Sequence, residues 1–84
     1  MSILKISIRQ IKAARALLAW SQEAMAAHSG VSLPTIRRLE AQDGEIGGRR
    51  ETTEKIRAAL EAAGVEFIAE NGGGAGVRLK KRST

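Results

Sequence analysis

Cysteine and tyrosine are missing from this chain, and histidine, proline, phenylalanine and tryptophan occur once each in 84 residues. Without cysteine there is neither a disulfide framework nor thiolate metal chemistry, and His28 alone cannot assemble a zinc site. No metal and no cofactor is expected. Aromatic residues are 2% of a chain that is 43% hydrophobic, so the core must be aliphatic, with Trp20 and Phe67 as its only large rings. No apolar run approaches the roughly 20 residues that span a bilayer, and Met1 to Ile8 lacks the apolar centre of a secretory signal. A cytoplasmic protein with no membrane contact is the expectation. No nucleophile stands beside a base, because His28 lacks a surrounding carboxylate-and-serine constellation, so no catalytic residue and no enzyme is expected. The glycine-rich stretch NGGGAG at 71–76 lacks both the Gly-Lys-Ser/Thr ending of a phosphate loop and the GxGxxG spacing before a helix. It reads as a turn.

What the chain has in excess is positive charge. Fourteen Lys and Arg against nine Asp and Glu give a formal net charge of +5 and a pI near 10.5, which favours an anionic partner such as nucleic acid. A chain this short buries only about 60–65% of its unfolded surface. The core is therefore modest, and pairing with a second copy would help to stabilise it.

Taken in order, Met1 to Ser7 carries Ile3, Leu4 and Ile6 in loose alternation, compatible with an arm or a short strand. From Ile8 the apolar positions Ile8, Ile11, Ala14, Leu17 and Leu18 follow a helical period, with Ser7 placed to cap it, which predicts a first helix over Ile8–Ala19. Ser21 can cap a second helix, Glu23 suits the positive end of its dipole, and Gly30 can take the left-handed conformation that ends it. Ser32 caps a third helix, whose first turn tolerates Pro34 and which runs to about Gln42. Val31, Ile36 and Leu39 face inward there, leaving Leu33, Pro34, Arg37 and Arg38 outward. DGEIGGRR at 43–50 has loop composition. Ile56, Ala59, Leu60 and Ala63 mark a fourth helix stopped by Gly64, with its cap among Glu51, Thr52 and Thr53. Beyond Gly64 the period changes to two: Val65, Phe67 and Ala69 alternate with Glu66, Ile68 and Glu70, and Val77 and Leu79 alternate with Arg78 and Lys80. This predicts a β-hairpin with one apolar face. The basic run Lys80, Lys81 and Arg82 reads as a solubilising end. Trp20 is expected to pack at the corner of the first two helices, and His28 to lie on the surface.

Two helices joined by a tight glycine-containing turn, the second polar and basic on its exposed side, form the pattern of a DNA-binding helix-turn-helix. A helix fits the major groove, and its N-terminal side chains reach base edges there. The stretch SQEAMAAHSGVSLPTIRRLE at 21–40 resembles the helix-turn-helix of the Cro and phage-repressor family, the XRE type. The matching positions are Gln22, Ala26, Gly30, Val31, Ser32, Ile36 and Glu40. The resemblance runs from about Ile8 to Gly64 and implies a lambda-repressor-like helical bundle. Five helices are usual in that family and only four are evident here.

The resemblance implies site roles as well. The glutamine that clamps a phosphate falls on Gln22, and the base-reading positions fall on Ser32, Leu33, Pro34 and Arg38. Leu33 and Pro34 depart from the polar residues common there: they can touch a thymine methyl but cannot donate to a base. Base hydrogen bonding would then rest on Arg38 and Arg37. Thr35 could meet a phosphate, and Arg49 and Arg50 sit where relatives approach the backbone or minor groove. Arg15 and Glu40 match an ion pair bridging the first helix to the end of the third, which would hold Arg15 beside a phosphate.

The expectation is a mainly α fold with two parts: a helix-turn-helix domain over residues 1–64, and over residues 65–84 a β-hairpin with a basic tail that serves dimerisation. The expected function is sequence-specific binding of double-stranded DNA by a homodimer on an inverted repeat, as a transcriptional regulator. Val65, Phe67, Ile68, Val77 and Leu79 would form the dimer interface. The alternative is an antitoxin or antiactivator that masks a partner protein, with DNA binding secondary.

Overall fold

The computed structural model describes residues 6–81. Four helices precede a hairpin: α1 (Ile8–Leu18), α2 (Gln22–Ser29), α3 (Leu33–Glu40), α4 (Arg50–Ala62), β1 (Val65–Ile68) and β2 (Gly76–Leu79). The fold is mainly helical and lambda-repressor-like, ending in a two-stranded antiparallel hairpin. Ile3, Leu4 and Arg82 lie outside the described residues.

Local chemistry sets the helix ends. Ser7 and Gln10 form a reciprocal capping box: the Ser7 hydroxyl accepts from the Gln10 backbone N–H at 3.1 Å, and Gln10 Oε1 accepts from the Ser7 backbone N–H at 2.9 Å. This satisfies two of the amides a helix start leaves open. The other end of α1 stops one residue before the expected Ala19. That residue takes a left-handed φ of 57°, and Trp20 N–H donates to the Arg15 carbonyl at 2.9 Å. Ser21 caps α2, and Gly30 ends it at φ 76°. Ser32 caps α3, which finishes at Glu40 instead of Gln42. The start of α4 corrects the sequence reading: its cap is Arg49, with extended backbone and no side-chain cap bond. Thr53, one of the expected caps, sits inside the helix and turns its hydroxyl back onto the Arg49 carbonyl at 3.3 Å. It is thereby removed from any capping role.

The core is aliphatic. Ile8, Ile11 and Ala14 of α1, Met25 of α2, Ile36 and Leu39 of α3, and Ile56 and Leu60 of α4 are all buried, with Val65 and Phe67 of β1 closing the bundle. Leu17 is 44% exposed, because Leu18 takes the inward position four residues after Ala14.

The segment before α1 is anchored where it is described. Ile6 is buried, and Ser7 bridges antiparallel to Glu45. Ile46 N–H donates to the Ile6 carbonyl at 3.1 Å, and Ile8 N–H to the Gly44 carbonyl at 2.8 Å. The 43–48 loop is thus pinned to the root of α1, and Arg9 adds a bidentate pair with Asp43 at 3.1 and 3.0 Å.

In the hairpin, Val65 pairs with Leu79, Glu66 with Arg78, Phe67 with Val77 and Ile68 with Gly76. Gln10 docks it onto α1. With Oε1 committed to the capping box, the buried amide donates through Nε2 to the carbonyls of Ile68 at 3.4 Å and Gly76 at 3.0 Å. Gln10→Ala should therefore strand the Ser7 backbone N–H, remove the second donor from the Ile68 and Gly76 carbonyls, and destabilise the fold by about 1–2 kcal/mol, read from urea unfolding. Amide exchange in β1 and β2 should quicken more than in α3. A loss below about 0.5 kcal/mol would mean that apolar packing alone holds the hairpin.

Candidate nucleic-acid interface

The α2–turn–α3 unit is held at its base by Glu40. This carboxylate, on the last turn of α3, is only 6% exposed. Arg15 of α1 donates to it twice, Nε to Oε2 at 2.7 Å and an Nη to Oε1 at 2.6 Å, while Gln22 Nε2 reaches Oε1 at 3.1 Å. The other Nη of Arg15 donates to the Trp20 carbonyl at 2.8 Å. One guanidinium and one carboxylate thus tie together α1, the corner after it, the first residue of α2 and the end of α3. Gln22, expected at a phosphate, spends its amide in part on this network, and Arg15 is oriented by it. At the same corner the Trp20 and His28 rings stack, with centroids 4.1 Å apart and planes inclined by 7°.

The outer side of α3 carries the remaining candidates. Pro34, Arg37 and Arg38 are exposed, whereas Leu33, expected to face outward, is half-buried. Ser32 is committed locally: its oxygen accepts from the Thr35 backbone N–H at 3.4 Å, and its O–H donates to Thr35 Oγ1 at 2.8 Å. That direction leaves the Thr35 hydroxyl free to donate elsewhere. Ser32, expected among the base readers, stands at the exposed N-cap of α3 and also holds Thr35.

Thr35 and Arg38 open onto a cleft of about 290 Å³ whose other walls are Leu39, Gly47, Gly48, Arg49 and Thr52. This cleft lies between α3 and the start of α4, and it brings Arg38 and Arg49 to one place although eleven residues separate them. Gly48 makes the approach possible, with a φ of 89° beside the Leu39 side chain.

Charge is partitioned across the molecule. Arg9, Arg15, Arg57 and Arg78 are each paired with a carboxylate, respectively Asp43, Glu40, Glu54 and Glu66. Among the described residues, Arg37, Arg38, Arg49 and Arg50 have no such partner, and all four lie on α3 or at the start of α4. No described cluster of three or more acidic or histidine side chains could hold a metal ion. No described helix is long and apolar enough to cross a membrane.

The side chains expected at a dimer interface divide in two. Val65 and Phe67 are buried in the monomer's own core, Ile68 and Val77 are half-buried, and Leu79 is exposed.

Burial pushes the Glu40 carboxyl up, but hydrogen bonds from Arg15 and Gln22, together with the Arg15 charge, outweigh it and hold the group below the usual carboxylate range. The same hydrogen bond raises Arg15. A carboxylate held low in the folded state contributes stability above its unfolded value, and that contribution is lost as pH falls through the folded value. Glu40→Gln should cost about 2 kcal/mol at neutral pH and flatten the fall in urea midpoint between about pH 5 and about pH 3. Asp43 and Glu66, also held low by hydrogen bonds from the Gly44 backbone and Arg9, and from Arg78, would keep the remaining slope. An unchanged acid slope would remove Glu40 as its source.

Comparison with known proteins places this geometry. Residues 11–50 match the family model described as Helix-turn-helix, a span that runs from the first turn of α1 through the recognition unit to the first residue of α4. No curated protein matches the chain. The matched span coincides with the elements that Glu40 and Arg15 hold together, and the fold around it is the lambda-repressor-like bundle. Residues 11–50 thus form a helix-turn-helix of the XRE type, the unit by which transcription regulators of that type bind DNA.

Proposed function

We propose that the protein binds double-stranded DNA sequence-specifically, as a homodimer on an inverted repeat, with α3 in the major groove. The observation that carries this reading is the charge partition. The four arginines left without carboxylates gather on α3 and the mouth of α4, where the phosphates flanking a groove would run. That face holds the unpaired guanidiniums, the groups suited to phosphates and guanine edges, which favours DNA over a masked protein partner.

On this reading Arg38 reaches guanine O6 and N7 from the middle of α3, with Arg37 beside it. Pro34 lies one turn before Arg38 on the same face and offers an apolar contact to a thymine methyl. Leu33, half-buried, contributes its outer edge. Arg49 and Arg50 meet the backbone from the start of α4. Thr35, with its donor left free by Ser32, adds a phosphate contact, and Gln22 and Arg15 supply another at the α1–α2 corner. Phosphate contacts set register and affinity, while base contacts set sequence. Two such helices related by a two-fold axis read half-sites about 34 Å apart.

Selection from random duplexes at fixed salt should return a palindrome. On the selected site, Arg38→Ala should lose about 1–3 kcal/mol of discrimination at one base pair in each half. Arg49→Ala should weaken selected and random duplexes alike and lower the salt slope by about one unit. Equal losses on both duplexes from Arg38→Ala would take Arg38 out of the base-reading set.

A further inference from the structure

The inward face of the hairpin is unfinished. Val65 and Leu79 sit opposite each other in one cross-strand row, yet Val65 is 0% exposed and Leu79 is 44% exposed. The sheet therefore reaches the rim of the bundle at β2, and an apolar side chain pointing toward the core side is left partly uncovered among the described residues.

The edge of β2 is open as well. Lys80 N–H donates to the Gly64 carbonyl at 2.7 Å, which makes that pair a hydrogen-bonded one. By the alternation of an antiparallel ladder, Glu66–Arg78 and Ile68–Gly76 are hydrogen-bonded pairs too, and Val65–Leu79 and Phe67–Val77 are not. The main-chain N–H and C=O of Val77 and Leu79 therefore point away from β1. Among the described residues they find no hydrogen-bond partner beyond the strand pair. Such an edge pairs readily with another strand.

We propose that β2 of a second copy occupies this edge, antiparallel about a two-fold axis at Arg78, so that Val77 faces the partner's Leu79 and the two hairpins make one four-stranded sheet. This rests on the dimeric reading above and specifies its seam. Four main-chain hydrogen bonds form, using both outward residues of each β2. On the inward face, Val65, Leu79, the partner's Val77 and the partner's Phe67 fall into one continuous apolar row, which covers Leu79.

Charge selects this register. At the axis Arg78 meets the partner's Arg78, but each guanidinium already holds its own Glu66, Nε to Oε1 at 2.7 Å. The outward row then reads carboxylate, guanidinium, guanidinium, carboxylate across four strands. Lys80 falls opposite the partner's Gly76, and Lys81 opposite the partner's Ala75, both small and uncharged. Sliding the pairing so that Leu79 meets the partner's Leu79 would set Arg78 against the partner's Lys80, with one carboxylate too few. Sliding it the other way would leave Leu79 facing Ala75, outside the strand.

The absence of cysteine from the chain makes the register directly testable in the full-length protein. Opposite residues in a non-hydrogen-bonded antiparallel pair lie about 4.5 Å apart at Cα, within disulfide range. Under oxidised glutathione, Arg78→Cys should give a covalent dimer that stays folded. Gly76→Cys and Lys80→Cys should each stay monomeric on denaturing gels when oxidised alone and cross-link when the two are mixed. Leu79→Lys, at an exposed site, should weaken self-association at least tenfold in sedimentation with the circular dichroism unchanged. If Arg78→Cys fails to cross-link in a sample that sediments as a dimer, the seam lies elsewhere and the dimeric reading stands. If the wild-type chain sediments as a monomer at concentrations that shift an inverted-repeat duplex, the dimeric reading falls, and the seam with it.

Discussion

The side-chain hydrogen bonds that tie α3 to α1 and α2 all pass through Glu40. A buried carboxylate is expensive, and a buried ion pair with its desolvation costs is weak evidence for net stability. What Glu40 supplies is geometry. Its two oxygens accept from Arg15 and Gln22, and Arg15 in turn holds the Trp20 carbonyl. Four pieces of backbone that would otherwise pack by soft aliphatic contact are thus fixed by short, directional, charge-assisted bonds. A core of Ile, Leu, Val and Ala with two large rings fills space well but does not by itself choose an angle between α2 and α3. The polar network supplies that choice.

Most of the helical part was legible from the amino-acid sequence, because its signals are local. Ser7, Ser21 and Ser32 each cap the helix that follows, and Gly30 ends α2 with the positive φ that its missing Cβ permits. The alternation in Val65 to Ile68 and Val77 to Leu79 marked both strands. The Arg15–Glu40 pair was expected only through resemblance to a family, since nothing in the spacing of two charges 25 residues apart identifies them as neighbours. Gln10 was missed. The Ser-x-x-Gln spacing of a capping box was there to be read in Ser7 to Gln10, but the reach of the same amide to the Ile68 and Gly76 carbonyls depends on the tertiary fold and leaves no local trace. The start of α4 was misjudged for a related reason. Threonines at 52 and 53 look like caps, yet the chain has already turned helical at Arg50, since the loop before it is fixed by its pairing with Ile6 to Ile8 rather than by its composition.

That pinned loop bears on the charge partition. Glycines at 47 and 48 suggest a loop that conforms to its target, but Ile46 packs against the core and the Asp43–Gly44 end is held by Arg9 and the Ile8 amide. Arg49 therefore enters the cleft beside Arg38 from a fixed root. Two unpaired guanidiniums near each other repel, so placing them there costs stability in the free protein. A polyanion removes that cost on binding. Among the described residues, the arginines elsewhere are neutralised by Asp43, Glu40, Glu54 and Glu66, which leaves the unpaired guanidiniums near α3 and the start of α4 facing an approaching duplex.

Helix α1 joins the two ends of the molecule. Gln10 on its first turn holds the hairpin, and Arg15 on its second half holds Glu40 at the end of α3. The two lie five residues apart on one helix, about 7.5 Å along its axis, a separation that a hydrogen-bonded helix does not change. If two copies join through the hairpin, the position of each α3 relative to the two-fold axis is set by this short strut and by no flexible linker. A dimer built this way has little freedom to adjust the distance between its recognition helices. Half-site spacing then becomes a property of the Gln10 and Glu40 hydrogen bonds as much as of the side chains that touch DNA. Loosening either end of α1 would relax the spacing before it altered the sequence read within each half-site.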